Sequence, residues 1–353
     1  ASLEIFSQTH SGGKDAIEGE KGIDILFGDG GDDEIKGNDD MDFAEGNGGD
    51  DIIDGGDGQK FSLCNTNIEF GNLLLGGHGS DDVTGGAGID VIFGNKDGDK
   101  LTGKDQVDLM FGGDGPDKMY GDAGGVICVI DGVPIRLGNL LLGGIDDDKM
   151  WAGGDLDVMF GQHGDDEARG YDGSGQQPFA VDTDLLFGGN GNDYLEGDDE
   201  SPILTNSVDL IFGYDGDDEM HGGSQVDLMF GGKGKDRMHG DSNAFQLIGS
   251  IDLLFGGPDD DWMDGGNSLD LLFAGDGNDT MQGDDESFGL ISPDLLFGQS
   301  GDDTINGGVS FDFIFGQDGA DRILGDSNLV WELLSADFMW GGPGPDYMDG
   351  GNA

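Results

Sequence analysis

The chain has 353 residues, of which 74 are Gly and 75 are Asp or Glu against 15 Lys or Arg, giving a formal charge of -60. No basic patch exists to meet phosphate, which argues against nucleic acid as a partner, and no apolar run approaches the roughly 20 residues of a membrane span. A compact fold with this charge repels itself unless counter-ions are bound. Disorder is the other outcome of such a composition, but the glycines and aspartates recur with a fixed period, which a disordered tail does not need.

Residues 1–9 stand outside the period. Leu3 and Ile5 alternate there, as in a cap strand covering the end of a repeat array. The repeat enters at Asp15, with Ile17 two residues on, and locks in at Asp24. The length suits two ordinary domains, yet the pattern runs through nearly all of it, so one elongated solenoid is expected over 10–353. The unit is nine residues long and is plainest between Gly222 and Gly240. Gly222-Gly223-Ser224-Gln225-Val226-Asp227-Leu228-Met229-Phe230 is followed by Gly231-Gly232-Lys233-Gly234-Lys235-Asp236-Arg237-Met238-His239. Each block opens on two glycines, places an aspartate sixth and an apolar residue eighth.

The chemistry of one block is local. Its first six residues form a tight turn, where glycine tolerates positive φ and lets carbonyls approach an ion. The aspartate adds a hard oxygen suited to Ca²⁺. The last three residues form a short strand whose period of two sends only the eighth side chain inward. Two blocks make one coil of 18 residues with a turn at each edge. Coils stack about 4.8 Å apart, so equivalent aspartates lie above one another and each ion sits between two stacked turns.

The two edges differ. On the first, the sixth position is Asp15, Asp33, Asp51, Asp81, Asp99, Asp117, Asp148, Asp166, Asp193, Asp218, Asp236, Asp261, Asp279, Asp303, Asp321 and Asp346, without exception. The fourth position is Gly except for Asp97, Asp146 and Asp259, and Asp tolerates positive φ better than most residues. This edge is expected to carry the full set of Ca²⁺ ligands. The second edge is centred on Asp24, Asp42, Asp90, Asp108, Asp157, Asp184, Asp209, Asp227, Asp252, Asp270, Asp294, Asp312 and Asp337, with Asn72 and Asn139 interrupting the series. It has mostly lost the fourth-position glycine and carries inserts, the two longest around 60–71 and 126–138, each just before an Asn. Weaker calcium is expected on this edge, and weaker or absent calcium at the two Asn, which offer a carbonyl but no charge.

First-edge strands have polar flanks, such as Glu34 and Lys36 or Thr280 and Gln282. Second-edge strands are apolar throughout, as in Leu185-Leu186-Phe187 and Phe313-Ile314-Phe315. With the seventh and ninth positions outward, this sheet carries an external ladder: Phe27, Phe93, Phe111, Phe160, Phe187, Phe212, Phe230, Phe255, Phe273, Phe297, Phe315 and Trp340. Such a strip exceeds the few hundred Å² of apolar patch usual on a monomer. Its cover is either the inserts at 179–181, 202–204, 245–248, 288–291 and 329–334, or another protein, or a second copy of the chain.

The nonapeptide G-G-x-G-x-D-x-U-x is the signature of parallel β-helix repeats, and its fifteen in-phase copies from Gly28 to Asp349 resemble the RTX family of hemolysin-type calcium-binding repeats. The resemblance implies an all-β, right-handed parallel β-roll of about 15 coils with inserts at one edge. It also implies export by type I secretion, an extracellular or cell-surface location, and folding on meeting extracellular calcium. Several Ca²⁺ ions are then held by sixth-position aspartates and loop carbonyls of stacked turns, firmly on the first edge and less so on the second.

Little else suggests chemistry. There is no H-E-x-x-H and no G-x-S-x-G, and the carboxylates are better explained as repeated ligands than as acid–base pairs, so no enzyme is expected. His221 and His239 fall at equivalent positions one coil apart, where two stacked imidazoles could hold Zn²⁺ or Cu²⁺, although two exposed residues on a wet face are the expected reading. Cys64 and Cys128 lie in separate inserts about three coils, or roughly 14 Å, apart, and two free thiols are expected. The chain opens on Ala1, as expected of a processed or trimmed chain, and stops in mid-pattern, where a partner or further residues are expected to cover the end. Two functions compete: a calcium-loaded scaffold for assembly or adhesion, and the carboxy-terminal folding and export module of a larger secreted enzyme.

Overall fold

The computed structural model describes residues 3–7, 12–63, 66–122, 125–130, 133–171, 183–197, 208–223, 225–241, 251–267, 269–284, 293–326 and 336–351. Every regular element among them is a strand. The chain divides into two compact units, Ala1–Gln176 and Gln177–Ala353.

In the first unit each coil gives one strand to each of two parallel sheets. The sheet of second-edge strands begins with Leu3–Ser7 and Ile23–Phe27, paired in parallel register with Leu3 opposite Ile23. It continues through Phe43–Gly48, Thr66–His78, Ile89–Lys96, Leu109–Asp114, Leu140–Ile145 and Val158–His163. The facing sheet runs from Ala16–Lys21 to Glu167–Arg169. The second unit repeats the plan, from Leu185–Asn190 to Phe338–Trp340 in one sheet and from Tyr194–Glu196 to Tyr347–Asp349 in the other. Leu3–Ser7 therefore extends the sheet as one more rung.

The strands are longer than the three residues expected. Leu185–Asn190 and Leu295–Ser300 continue past the ninth position through the first three residues of the following block. The turn is correspondingly tighter. Burial alternates strictly, as in Ile25, Leu26 and Phe27, where only Leu26 is buried. The interior is thus a file of eighth-position side chains, such as Leu26, Leu74, Ile92 and Met110 on one sheet and Ile35, Ile53, Val83 and Leu101 on the other. Each coil supplies only two such side chains, at about 1.5–3 kcal/mol apiece. The rest of its interior is aspartate, because Asp33, Asp51, Asp90 and Asp108 are buried as fully as the core.

The two longest inserts form β-hairpins. Gln59–Leu63 pairs antiparallel with the start of Thr66–His78, and Gly125–Ile130 with Val133–Leu137. The inserts expected to cover the Leu/Phe sheet lie outside the described residues, as does Cys64.

Candidate metal centre

On the first edge, the backbone N–H of each sixth-position aspartate donates to Oδ1 of its equivalent one coil on. In the first unit Asp15 donates to Asp33 at 2.8 Å, Asp33 to Asp51 and Asp51 to Asp81 at 2.7 Å, and Asp81 to Asp99 at 2.8 Å. Asp99 donates to Asp117 at 2.7 Å, Asp117 to Asp148 and Asp148 to Asp166 at 2.8 Å. In the second unit the series Asp193, Asp218, Asp236, Asp261, Asp279, Asp303, Asp321 and Asp346 is linked in the same way, at 2.8–3.1 Å. One carboxylate oxygen per turn is used by this ladder.

The other oxygen is not. Oδ2 is buried and accepts no hydrogen bond in Asp33, Asp51, Asp81, Asp99, Asp117 and Asp148 of the first unit, nor in Asp218, Asp236, Asp261, Asp279, Asp303 and Asp321 of the second. Its neighbours are further acceptors. A β-carbon placed on first-position Gly28 would lie 2.5 Å from Asp33 Oδ2 and 2.9 Å from the carbonyl oxygen of Gly46, the first residue of the next coil's turn. The same pair of oxygens confronts Gly94, Gly112, Gly231 and Gly298. Glycine leaves open the space in which these oxygens meet, and the only larger residues at this position among the described turns are the small Ala152 and Ala274.

Buried acceptors without a donor are costly, and a buried carboxylate charge more so. Burial accordingly pushes Asp51 up to about 6, Asp81 and Asp218 to about 7, and Asp99, Asp148 and Asp261 to about 8. The ladder N–H offsets part of the rise, and the neighbouring aspartates add to it. A proton, a donated hydrogen bond or a cation satisfies such a set. Oxygen ligands from one carboxylate and several carbonyls suit a hard cation such as Ca²⁺. No group of three or more His, Cys, Asp or Glu side chains converges among the described residues, and the carbonyl oxygens beside Oδ2 are the further protein acceptors shown at these turns.

The turns hold the conformation this requires without always using glycine. At the fourth position Asp97, Asp146 and Asp259 have φ of 70°, 78° and 85°, as their chemistry predicts. The second position behaves alike: Asn95, Gln162 and Tyr214 take φ of 83°, 83° and 82°. On the second edge, where fourth-position glycine is mostly lost, Asp40, Gln106, Asp155 and Gln225 still have φ of 82°, 79°, 96° and 90°. Loss of glycine therefore does not change this turn.

The second edge also keeps the ladder. Asp24 donates to Asp42 and Asp90 to Asp108 at 2.9 Å, and in the second unit Asp209 donates to Asp227 at 3.2 Å, Asp227 to Asp252 at 2.8 Å and Asp252 to Asp270 at 3.0 Å. Asp270 donates to Asp294 at 2.8 Å, Asp294 to Asp312 at 3.0 Å and Asp312 to Asp337 at 3.1 Å. Asp157 and Asp184 are buried in the same file. Oδ2 of Asp42, Asp90, Asp108 and Asp294 is again buried without a donor. Burial pushes Asp42 and Asp90 up to about 7 and Asp108 to about 9.

The two Asn rungs differ from this. Asn72 Oδ1 accepts from the Asp42 N–H at 2.9 Å, and its Nδ2 donates to the carbonyls of Gly56 at 3.4 Å and Gly85 at 3.3 Å. Asn139 Oδ1 accepts from Asp108 N–H at 2.8 Å, and its Nδ2 donates to Asp122 O at 3.2 Å and Ala152 O at 3.0 Å.

A second ladder runs along the first edge at the exposed fifth position, which the repeat pattern treats as free. Here the later residue donates to the earlier: Asp50 N to Asp32 Oδ1 at 3.1 Å, Asp165 N to Asp147 Oδ1 at 2.9 Å, Lys235 N to Asp217 Oδ1 at 2.8 Å and Asn278 N to Asp260 Oδ1 at 2.9 Å. The frequency of Asp and Asn at that position was its only trace in the sequence.

The aromatic column lies on the outer face, half-exposed. In the second unit Phe187, Phe212, Phe230, Phe255, Phe273, Phe297 and Phe315 stack with centroids 4.9–5.1 Å apart and planes within 11°. Trp340, next in register, is 59% exposed. In the first unit the column is broken. Phe93 and Phe111 stack at 4.6 Å, but Leu142 stands between Phe111 and Phe160, and Glu45 and Leu75 separate Phe27 from Phe93. On the opposite sheet His221 and His239 stack at 4.8 Å with planes 7° apart, so their lone pairs lie in parallel planes and do not converge on one ion. Burial, and then the charge of His221, pushes His239 down to about 4.

A sequence profile of the RTX calcium-binding nonapeptide repeat, in four copies, matches residues 11–43, 36–59, 75–110, 93–125, 182–201, 212–244, 249–281, 281–310, 297–328 and 334–353, together well over half of the chain. No curated protein matches it. Among the described residues no helix is long and apolar enough to cross a membrane.

Proposed function

The chain belongs to the RTX calcium-binding repeat family, and from that premise we propose that it is a secreted scaffold, without catalysis, which folds on meeting extracellular calcium and then packs its Phe column against a second copy of itself. The observation that carries this reading is the row of buried Oδ2 atoms that accept no hydrogen bond, those of Asp33, Asp99, Asp117, Asp236 and Asp303 lying beside a glycine carbonyl. The ligands are the sixth-position aspartates of the first edge and those of the second, with carbonyls of their own and the adjacent turns. Bound Ca²⁺ supplies there the positive charge that the buried carboxylates lack. Without it, the charge of -60 keeps the chain open; at millimolar calcium, binding drives folding by mass action. The uninterrupted run of Phe in the second unit supports the contact face, since a flat row of stacked rings is complementary to its own copy.

Sedimentation velocity in chelator and then in millimolar Ca²⁺ tests both halves. A slow, expanded species that becomes a compact dimer or larger assembly is the expected result. A compact monomer would mean that the chain covers the column itself and would remove the assembly role. Sedimentation unchanged by calcium would overturn the whole reading.

A further inference from the structure

At the Asp rungs of the second edge, two acceptors meet. A β-carbon on Gly19 would lie 2.7 Å from Asp24 Oδ2 and 2.9 Å from Gly37 O, and the distal oxygens of Asp42, Asp90 and Asp108 are buried without a donor. At the two Asn rungs the same place is occupied by a donor. A β-carbon on Gly55 would run into Asn72 Nδ2 and Gly85 O, and one on Gly121 into Asn139 Nδ2 and Ala152 O. The amide nitrogen thus stands where the second carboxylate oxygen stands elsewhere, and bonds the carbonyls that elsewhere face that oxygen. Its orientation is fixed by the ladder: Oδ1 must face the incoming N–H of Asp42 or Asp108, because a flipped amide would set two donors against each other.

Both Asn lie at the foot of a hairpin. Thr66–His78 runs without a break from the hairpin through Asn72 into the sheet, and Val133–Leu137 ends two residues before Asn139. We propose that Asn72 and Asn139 are built-in substitutes for the cation: their amide nitrogens close the carbonyl cradle, so these two turns take no Ca²⁺ and hold their hairpins without metal. This rests on the calcium reading above and adds where, on this chain, the file of ions is interrupted. Two N–H···O bonds satisfy two carbonyls with no charge to bury, whereas an aspartate at either place would need a cation or a proton. Both interruptions fall in the first unit, and the described second-edge rungs of the second unit carry Asp throughout.

The test counts bound calcium on the full chain by equilibrium dialysis at saturating Ca²⁺. N72D and N139D are each expected to bind one more ion than the native chain, and the double variant two more. D108N, the reverse change, is expected to bind one fewer and to stay folded. An unchanged count in folded N72D and N139D would overturn the proposal. Should these variants fail to fold, hydrogen exchange of the native side-chain amides decides. The Asn72 and Asn139 NH₂ protons are expected to be protected at least 10-fold against an exposed Asn, and exchange at the free-amide rate would overturn it. A native chain that binds no calcium at all is a different result, and it removes the calcium reading itself.

Discussion

The N–H of Asp99 donates to Oδ1 of Asp117 at 2.7 Å, while Asp99's own Oδ1 accepts from Asp81 at 2.8 Å. Asp99, like Asp51, Asp81, Asp117 and Asp148, is therefore held on one side by the preceding coil and left on the other with a buried oxygen that no donor meets. Burial raises Asp99 to about 8, Asp148 to about 8 and Asp51 to about 6, well above the value near 4 of an unfolded Asp. Groups with raised folded-state pKa stabilise the fold fully below about pH 4 and lose that contribution as the pH rises through about 8. The calcium-free chain is thus expected to be most compact in mild acid and to open as the pH rises towards 8. Circular dichroism in chelator across pH 4–8 checks it, and calcium binding at pH 7 should release protons. An apo fold that gains stability with rising pH would contradict the assignment.

Deleting one rung separates the two roles of a carboxylate. D236A removes the Oδ1 that accepts from Asp218 N–H at 3.0 Å and leaves that buried donor unmet, at about 1–3 kcal/mol. D236N keeps an acceptor for Asp218 and replaces the orphaned oxygen with a donor. In chelator D236N should be at least as stable as the native chain, and D236A less stable. In calcium both should bind fewer ions. Urea denaturation with and without Ca²⁺ distinguishes the four cases, and equal loss in D236A and D236N under chelator would show that the ladder bond contributes nothing.

Much of this site follows from the period of nine. The eighth-position apolar residue is fixed inward by the pleat, so its burial was legible, and so was the positive φ of Asp97, Asp146 and Asp259. Three features were not. Strands run on through the next block's first residues because the second position also takes positive φ, even as Tyr214 or Gln162, which leaves a tighter turn than G-G-x-G suggests. The exposed fifth-position ladder depends on the stacking of coils, which places Asp32 beside the N–H of Asp50. The hairpin at Gln59–Leu63 arises within an insert, where the repeat gives no register. At Asn72 weaker or absent calcium was expected from the missing charge alone; the donor its amide nitrogen supplies was not weighed.

The glycine facing most of these cradles offers a steric test. Gly19→Ala would place a methyl 2.7 Å from Asp24 Oδ2 and 2.9 Å from Gly37 O, whereas Gly154 has nothing within 4 Å of its added β-carbon. The first substitution should block one cation seat and destabilise the calcium-loaded chain by about 1–3 kcal/mol, the usual cost of overpacking. Gly154→Ala should leave both calcium count and stability within about 0.5 kcal/mol of native. Calcium-loaded unfolding curves read both, and a tolerated Gly19→Ala with an unchanged ion count would place the cation elsewhere in the turn.

The Phe column makes the last prediction. Phe230 lies between Phe212 at 5.0 Å and Phe255 at 4.9 Å, near-parallel to both and half-exposed. Its ring touches no calcium ligand, since outward ninth-position side chains stand on the far side of the sheet from the buried aspartates. Stacked pairs contribute about 0.5–1.5 kcal/mol each, so F230S with F255S should cost the isolated fold only a few kcal/mol and leave the bound calcium unchanged. If the column joins two copies, the same pair of substitutions should abolish the calcium-induced assembly, because polar groups in mid-face would be buried without partners. Sedimentation and ion counting on one sample read both effects. Intact assembly of the double variant would exclude the column as the contact. Loss of calcium together with assembly would point instead to disruption of the sheet.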